Sequence, residues 1–168
     1  RSRRDDGITE EELVGMVEQA RTEGGLDEHE GDLIRNAIEF NDLEVSEILT
    51  PRVDLVAAEE GSTMEEVASL FVESGYSRIP IYHETIDNIV GVVHEKDFYA
   101  ARYRGETMLC HLKSPVFYTT GNTKISELLR ILQKNKAHMA IVVDEYGGTE
   151  GIATLEDILE ELVGEIWD

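Results

Sequence analysis

Thr154 and Asp157 stand three residues apart in "GIATLEDILEEL" (151–162), where a short apolar run gives way to a hydroxyl and acids. That spacing serves two chemistries. Thr-x-x-acid ahead of an apolar run approximates a capping box, in which the hydroxyl accepts from an orphan amide of the first helical turn. A carboxylate there also suits the positive end of the helix dipole. The same group brings a hydroxyl, first-turn amides and a carboxylate together, a set that could meet the donors and anionic oxygens of a ligand. The remainder of the chain decides between cap alone and cap with ligand.

Other chemistry-bearing residues are sparse. Arg78 in "YSRIP" (76–80) is one of few bases near such a site, where it could meet a phosphate or pair with a surface acid. His138 has no second His or Cys at ligand spacing, so no metal site is expected. There is no Walker-type glycine loop, zinc triad or Ser-His-Asp order, and no enzyme is expected.

Acids outnumber bases by 36 to 15, for a formal charge of -21. Nucleic acid is therefore not an expected partner, because phosphate neutralisation needs a basic face. Such a surface attracts cations instead, or needs a bound cation before a polyphosphate can approach. A single cysteine, Cys110, excludes an internal disulfide and a thiolate cluster and points to a reducing, cytoplasmic setting. No apolar run is long enough to span a membrane, and no signal peptide is evident. The chain opens on Arg1-Ser2-Arg3-Arg4 and stops at Ile166-Trp167-Asp168 in what reads as a running helix, so both ends read as cut. A basic cluster of that kind often lies just inside the cytoplasmic end of a membrane helix.

The elements that must position these residues come in three blocks. Residues 1–43 read as a helical lead-in. "ITEEELVGMVEQA" offers a Thr9 cap with Leu13, Val17 and Ala20 on one face, and "GDLIRNAIEF" supplies Leu33, Ile34, Ala37 and Ile38. From Val45 onward the sequence is written twice, giving blocks 44–106 and 107–168. Arg78 and His138, Ile81 and Ile141, Gly91 and Gly151, and Asp97 and Asp157 lie at matching offsets. The intervening helices slip by one, so Met64 matches Ile125.

Each copy opens on a proline, Pro51 or Pro115, followed by an extended segment. Ser62-x-x-Glu65 or Asn122/Thr123 then starts an amphipathic helix. A nearly all-apolar strand follows, "RIPIY" or "HMAIVV", of the kind covered on both faces. A turn leads to a second strand, "IVGVV" or "EGIAT", and the final helix begins at Glu95 or Leu155. The fold class is α/β (α+β), two tandem β-α-β-β-α units in a pseudo-two-fold pair.

The stretches "ILTPR", "GYSRIP" and "HMAIVVDEYGGTEGIATLEDILEELVGEI" resemble tandem CBS repeats, the Bateman module, and more narrowly the CorC/HlyC branch related to the CNNM proteins. The resemblance covers roughly residues 44–168 and extends to the helical lead-in. It implies binding of an adenine nucleotide, AMP or ATP (ATP with magnesium), between the paired repeats. It implies regulation of magnesium (cobalt) transport or efflux, closed pairing of two modules as a homodimer, and a membrane-embedded transport domain elsewhere. The alternative is an interaction or dimerisation module without nucleotide sensing.

The family pattern maps nucleotide contacts onto Thr50, Tyr76, Ser77, Arg78, Ile79, Pro80, Thr154 and Asp157. One carboxylate can accept both donors of a ribose diol, and "YSRIP" could line an apolar slot for adenine. Pro80 removes one amide donor and marks a strand edge or a ligand-facing break. The first copy departs from the pattern: His94-Glu95-Lys96-Asp97 stands where the second has Thr154-Leu155-Glu156-Asp157. With His138 as the counterpart of Arg78, the related second site is expected to lack both the hydroxyl and the positive charge.

Overall fold

The structure, a computed structural model, describes residues 10–25 and 27–167. The proposed Thr9 cap, the basic Arg1–Arg4 cluster and Asp168 lie outside the described residues. Two lead-in helices, α1 (Glu10–Thr22) and α2 (Glu28–Phe40), are followed by the short strands β1 (Thr50–Pro51) and β2 (Ala58–Glu59). The first repeat continues through α3 (Met64–Ser74), β3 (Arg78–Tyr82), β4 (Ile89–His94) and α4 (Glu95–Tyr103). The second runs β5 (Phe117–Thr120), α5 (Ile125–Asn135), β6 (Met139–Val143), β7 (Thr149–Thr154) and α6 (Leu155–Trp167).

Each repeat builds its own sheet and core. One sheet has the order β2-β3-β4, and the other β1-β7-β6-β5. In each, a parallel pair is joined by its crossover helix and an antiparallel hairpin follows. The apolar runs become central strands: Ile79 and Ile81 on β3, and Ala140 and Ile141 on β6, have no exposed surface. In the first core, Phe71 and Phe98 pack at a ring separation of 5.3 Å. In the second, Leu128, Leu132 and Ile158 pack with Val45 and Phe40, and α2 lies along α6. That contact supplies the amphipathic lead-in with the partner it needs.

The segment before the first repeat crosses to the second. Thr50 and Pro51 pair antiparallel with Ile152 and Gly151 of β7. Gly151 permits it: a Cβ there would lie 2.0 Å from the Thr50 carbonyl oxygen. The linker after the first repeat repeats the move more loosely. Ser114 bridges Val92, and a Cβ on Gly91 would meet the Lys113 side chain at 2.7 Å.

Two boundary readings change. The cap of α3 is Thr63, not Ser62; its hydroxyl accepts from the Glu66 amide, and the Glu66 carboxylate accepts from the Thr63 amide. The cap position of α5 is Lys124, which makes no side-chain cap bond, while Thr123 bonds to Thr119 and Thr120.

The internal register changes as well. Arg78 lies opposite His94, and Met139 opposite Thr154, so the counterpart of Arg78 is Met139 and not His138. The one-residue slip of the helices persists through the second strand of each unit, β3 and β6. It ends in the β6–β7 turn, which is one residue shorter than the β3–β4 turn.

Candidate functional site

β7 delivers Thr154 to the start of α6, on the seam between the repeats. There the Thr154 hydroxyl accepts from the Asp157 amide at 3.0 Å. The reciprocal half of a capping box is missing: the Asp157 carboxylate makes no protein hydrogen bond or ion pair among the described residues. In α3 the equivalent carboxylate closes the box. Thr154 therefore caps the helix while its own hydroxyl hydrogen stays available, and the half-buried Asp157 carboxylate faces a cavity without a partner.

That cavity has a volume of about 320 Å³. It brings together Thr50, Tyr76, Ser77, Arg78 and Pro80 with Thr154 and Asp157. Ile79, the remaining candidate, does not line it. Its side chain is fully buried in the first repeat's core, because alternate residues of a strand face opposite ways. Only its main chain could reach a ligand.

The loop before β3 supplies Tyr76 and Ser77, and β3 itself supplies Pro80. Pro80 sits on the half of β3 that β2 leaves uncovered, since β2 pairs only with Ile81 and Tyr82. Thr50 enters through the β1–β7 pairing. Val56, Met139 and Ile152 complete an apolar wall, and Asp54 and Glu156 add acids. The sequence reading did not pick out these five. Ile152 was findable from its alternation with Gly151 and Ala153; Val56 and Asp54 carry no periodic signal.

Among the described residues the cavity's one full cation is Arg78, whose Nη1 lies 4.0 Å from Glu156 Oε2. His138 stands beside it, its Nδ1 buried without a hydrogen bond and 3.9 Å from the same carboxylate. Against Arg78 stand Asp54, Glu156 and Asp157, so the carboxylates outnumber the cation.

Between Thr50 and Asp54, the Arg52 side chain turns away from the cavity and clasps the two repeats. It donates to the Asp87 carboxylate in the β3–β4 turn, and to the Thr149 carbonyl at 3.1 Å. Asp87 also accepts from the Thr149 amide at 2.9 Å. The Arg52 guanidinium, helped by that amide, holds the Asp87 carboxyl below its ordinary pKa, and Asp87 in turn raises that of Arg52. The residues that place Thr50 are thus fixed to both repeats.

A second cavity of about 270 Å³ lies at the pseudo-symmetric position, beside His94, Ser114 and Lys136. The expectation that it would lack positive charge fails, because Lys136 stands where the first cavity has Gly75 and Arg78 lines both. It does lack the hydroxyl at the helix start, since His94 caps α4 through Nδ1.

Paired β-α-β-β-α units with a cleft on their seam define a tandem-repeat module. The CBS domain model matches residues 45–104 and 110–164, and the chain belongs to the CBS-domain family, as a tandem pair of the CNNM/CorC kind. The CBS domain of a bacterial CNNM/CorC family Mg2+ transporter is 40% identical, with a TM-score of 0.86, covering 96% of this chain and 100% of that one. The same domain in complex with ATP is 42% identical with a TM-score of 0.72, covering 79% and 95%. A putative DUF21 domain-containing chloroplastic protein of Arabidopsis thaliana is 38% identical over 96% of this chain. The chain spans 25% of that relative's length.

Proposed function

We propose that this chain is the adenine-nucleotide-binding regulatory module of a CorC/HlyC-type magnesium or cobalt transport protein, and that the nucleotide occupies the Thr154–Asp157 cleft. The observation that carries the reading is the unpartnered, half-buried Asp157 carboxylate beside a hydroxyl free to donate. A carboxylate so placed gains most from a ligand that brings two donors, as a ribose diol does. The ATP complex of the CNNM/CorC relative supports the class of ligand.

In this reading Asp157 accepts from the ribose, Thr154 donates to a ligand oxygen, and Arg78 meets phosphate. Tyr76, Pro80 and Val56 take the adenine ring, with Ser77 and Thr50 on its polar edge. No group of three or more His, Cys, Asp or Glu side chains suited to a metal occurs among the described residues. Magnesium would therefore arrive on the phosphates rather than in a protein cage. Because both repeats line the cleft, bound nucleotide would tie them together, and a membrane-embedded transport part would read that change from the cytoplasmic side. No helix among the described residues is long and apolar enough to cross a membrane.

Isothermal titration of AMP, ADP and ATP, each with and without magnesium, tests this. ATP should bind more tightly with magnesium, because the cleft carries more carboxylates than cations, while AMP should show little dependence. Equal ATP affinity in excess chelator would remove the magnesium part; no binding of any nucleotide would remove the function.

A homodimer belongs to the same reading. Leu159 and Val163 on α6, and Tyr103 on α4, are exposed apolar side chains that a second copy could cover. Sedimentation showing only monomer at tens of micromolar would exclude it. Were dimers to form while no nucleotide bound, the module would be one of interaction alone.

A further inference from the structure

Among the described residues, no carboxylate lines the second cavity, although the chain carries 36 acids against 15 bases. Lys136 and Arg78 bring charge to it, and His94 and Ser114 bring donors. His94 Nδ1 accepts from the Lys96 amide at 3.2 Å, which leaves the proton of the neutral ring on Nε2. The Ser114 main chain is paired with Val92, and its hydroxyl has no partner among the described residues. Val92, Phe117 and Met139 supply an apolar wall.

Lys136 adds an independent observation. It ends α5 at φ 53, ψ 38, where α3 ends in Gly75 at φ 75, ψ 3. An L side chain is strained in that region and glycine is not. The position thus holds a long cationic side chain, at a cost in backbone strain, on the rim of an acid-free cavity. Among the described residues Lys136 makes no side-chain hydrogen bond or ion pair. Strain kept at a cavity wall is a starting point for a functional hypothesis.

We propose that this second cavity binds a small phosphate monoester with an apolar body, one not built on a nucleoside. The ammonium and guanidinium, with the hydroxyl and imidazole donors, suit the three oxygens of a dianion, and the apolar wall takes the organic part. A nucleoside is disfavoured because Asp97, the counterpart of Asp157, does not line the cavity, so the ribose has no carboxylate acceptor. Arg78, His138 and Met139 line both cavities, so the two ligands draw on a shared cation and oppose each other's binding.

Phenyl phosphate is the probe, titrated into the chain and followed by amide chemical shifts and calorimetry, with benzoate as the singly charged control. Shifts should centre on His94, Ser114, Lys136 and Ala137, with benzoate weaker. Lys136→Gly should keep or raise the melting temperature by relieving the strain, yet weaken phenyl phosphate by about tenfold or more. Saturating AMP should weaken the probe without removing it. Shifts centred on Gly75, Ser77 and Thr154, unchanged affinity in Lys136→Gly, or no binding at millimolar probe would each overturn the proposal. The readout needs no nucleotide, so a failure of AMP to bind would count against the nucleotide reading and leave a positive phenyl phosphate result standing.

Discussion

The two cavities are made by the same backbone, and three of the positions at which they differ set their chemistry apart. The helix start holds Thr154 in one and His94 in the other; the helix end holds Gly75 against Lys136; the crossing segment holds Thr50 against Ser114. The first arrangement leaves a carboxylate unpaired and an apolar wall beside it, which fits a ligand with hydroxyl donors. The second collects cations and excludes acids. Duplication preserved the scaffold, and ligand chemistry diverged through side chains at caps and turns, where substitution leaves the cores intact.

The crossing segments should show the largest difference. Gly151→Ala puts a Cβ against the Thr50 backbone, which cannot yield without parting β1 from β7, and should cost about 3 kcal/mol. Gly91→Ala meets mainly a lysine side chain that can move, and should cost about 1 kcal/mol. Denaturant unfolding of both variants measures this, and equal costs would mean that the two crossings are equally tight.

Asp157→Ala should cost about 1.5–3 kcal/mol of nucleotide binding, as loss of a charge-assisted hydrogen bond does. That corresponds to roughly ten- to 150-fold in affinity. Asp97→Ala, its counterpart, should leave nucleotide affinity unchanged. Thr154→Val should weaken binding as well, and lower stability by about 1 kcal/mol through loss of the cap. An Asp157→Ala variant that folds and binds normally would remove the cleft from consideration.

The smallest effect is in acid. The Asp87 carboxyl has a lowered pKa in the fold, so its contribution is complete above its ordinary value of 3.8 and is lost as pH falls through the folded value. Asp87→Ala should therefore lower the melting temperature near neutrality, and the gap from the unsubstituted chain should narrow in acid. A gap that widened on acidification would reverse the sign of the clasp.

Much of this was legible in the residues. Strands β3, β4, β6 and β7 announce themselves because buried strands are continuous apolar runs, and α4 and α6 begin where the hairpins end. The crossing of β1 to the second repeat was not legible, since two residues, Thr50 and Pro51, carry no periodicity. Nor was the register that pairs Arg78 with Met139: an apolar run has no internal mark, and the compensating residue is hidden in a turn. That slip misassigned the charge of the second cavity, and a motif does not say which way each side chain faces, so it could not show that the Ile79 side chain points into the core. The apolar residues Val56 and Met139 escaped because nothing in their type distinguishes a cavity wall from a core.

The central claim is that adenine nucleotide binds in the Thr154–Asp157 cleft and not at its pseudo-symmetric counterpart. Titration of AMP into the chain, with calorimetric stoichiometry and amide shifts read together, tests it most directly. Saturation near one nucleotide per chain, with shifts centred on Ser77, Thr154 and Asp157, is the predicted result. Two equal sites, or shifts confined to His94 and Lys136, would contradict it.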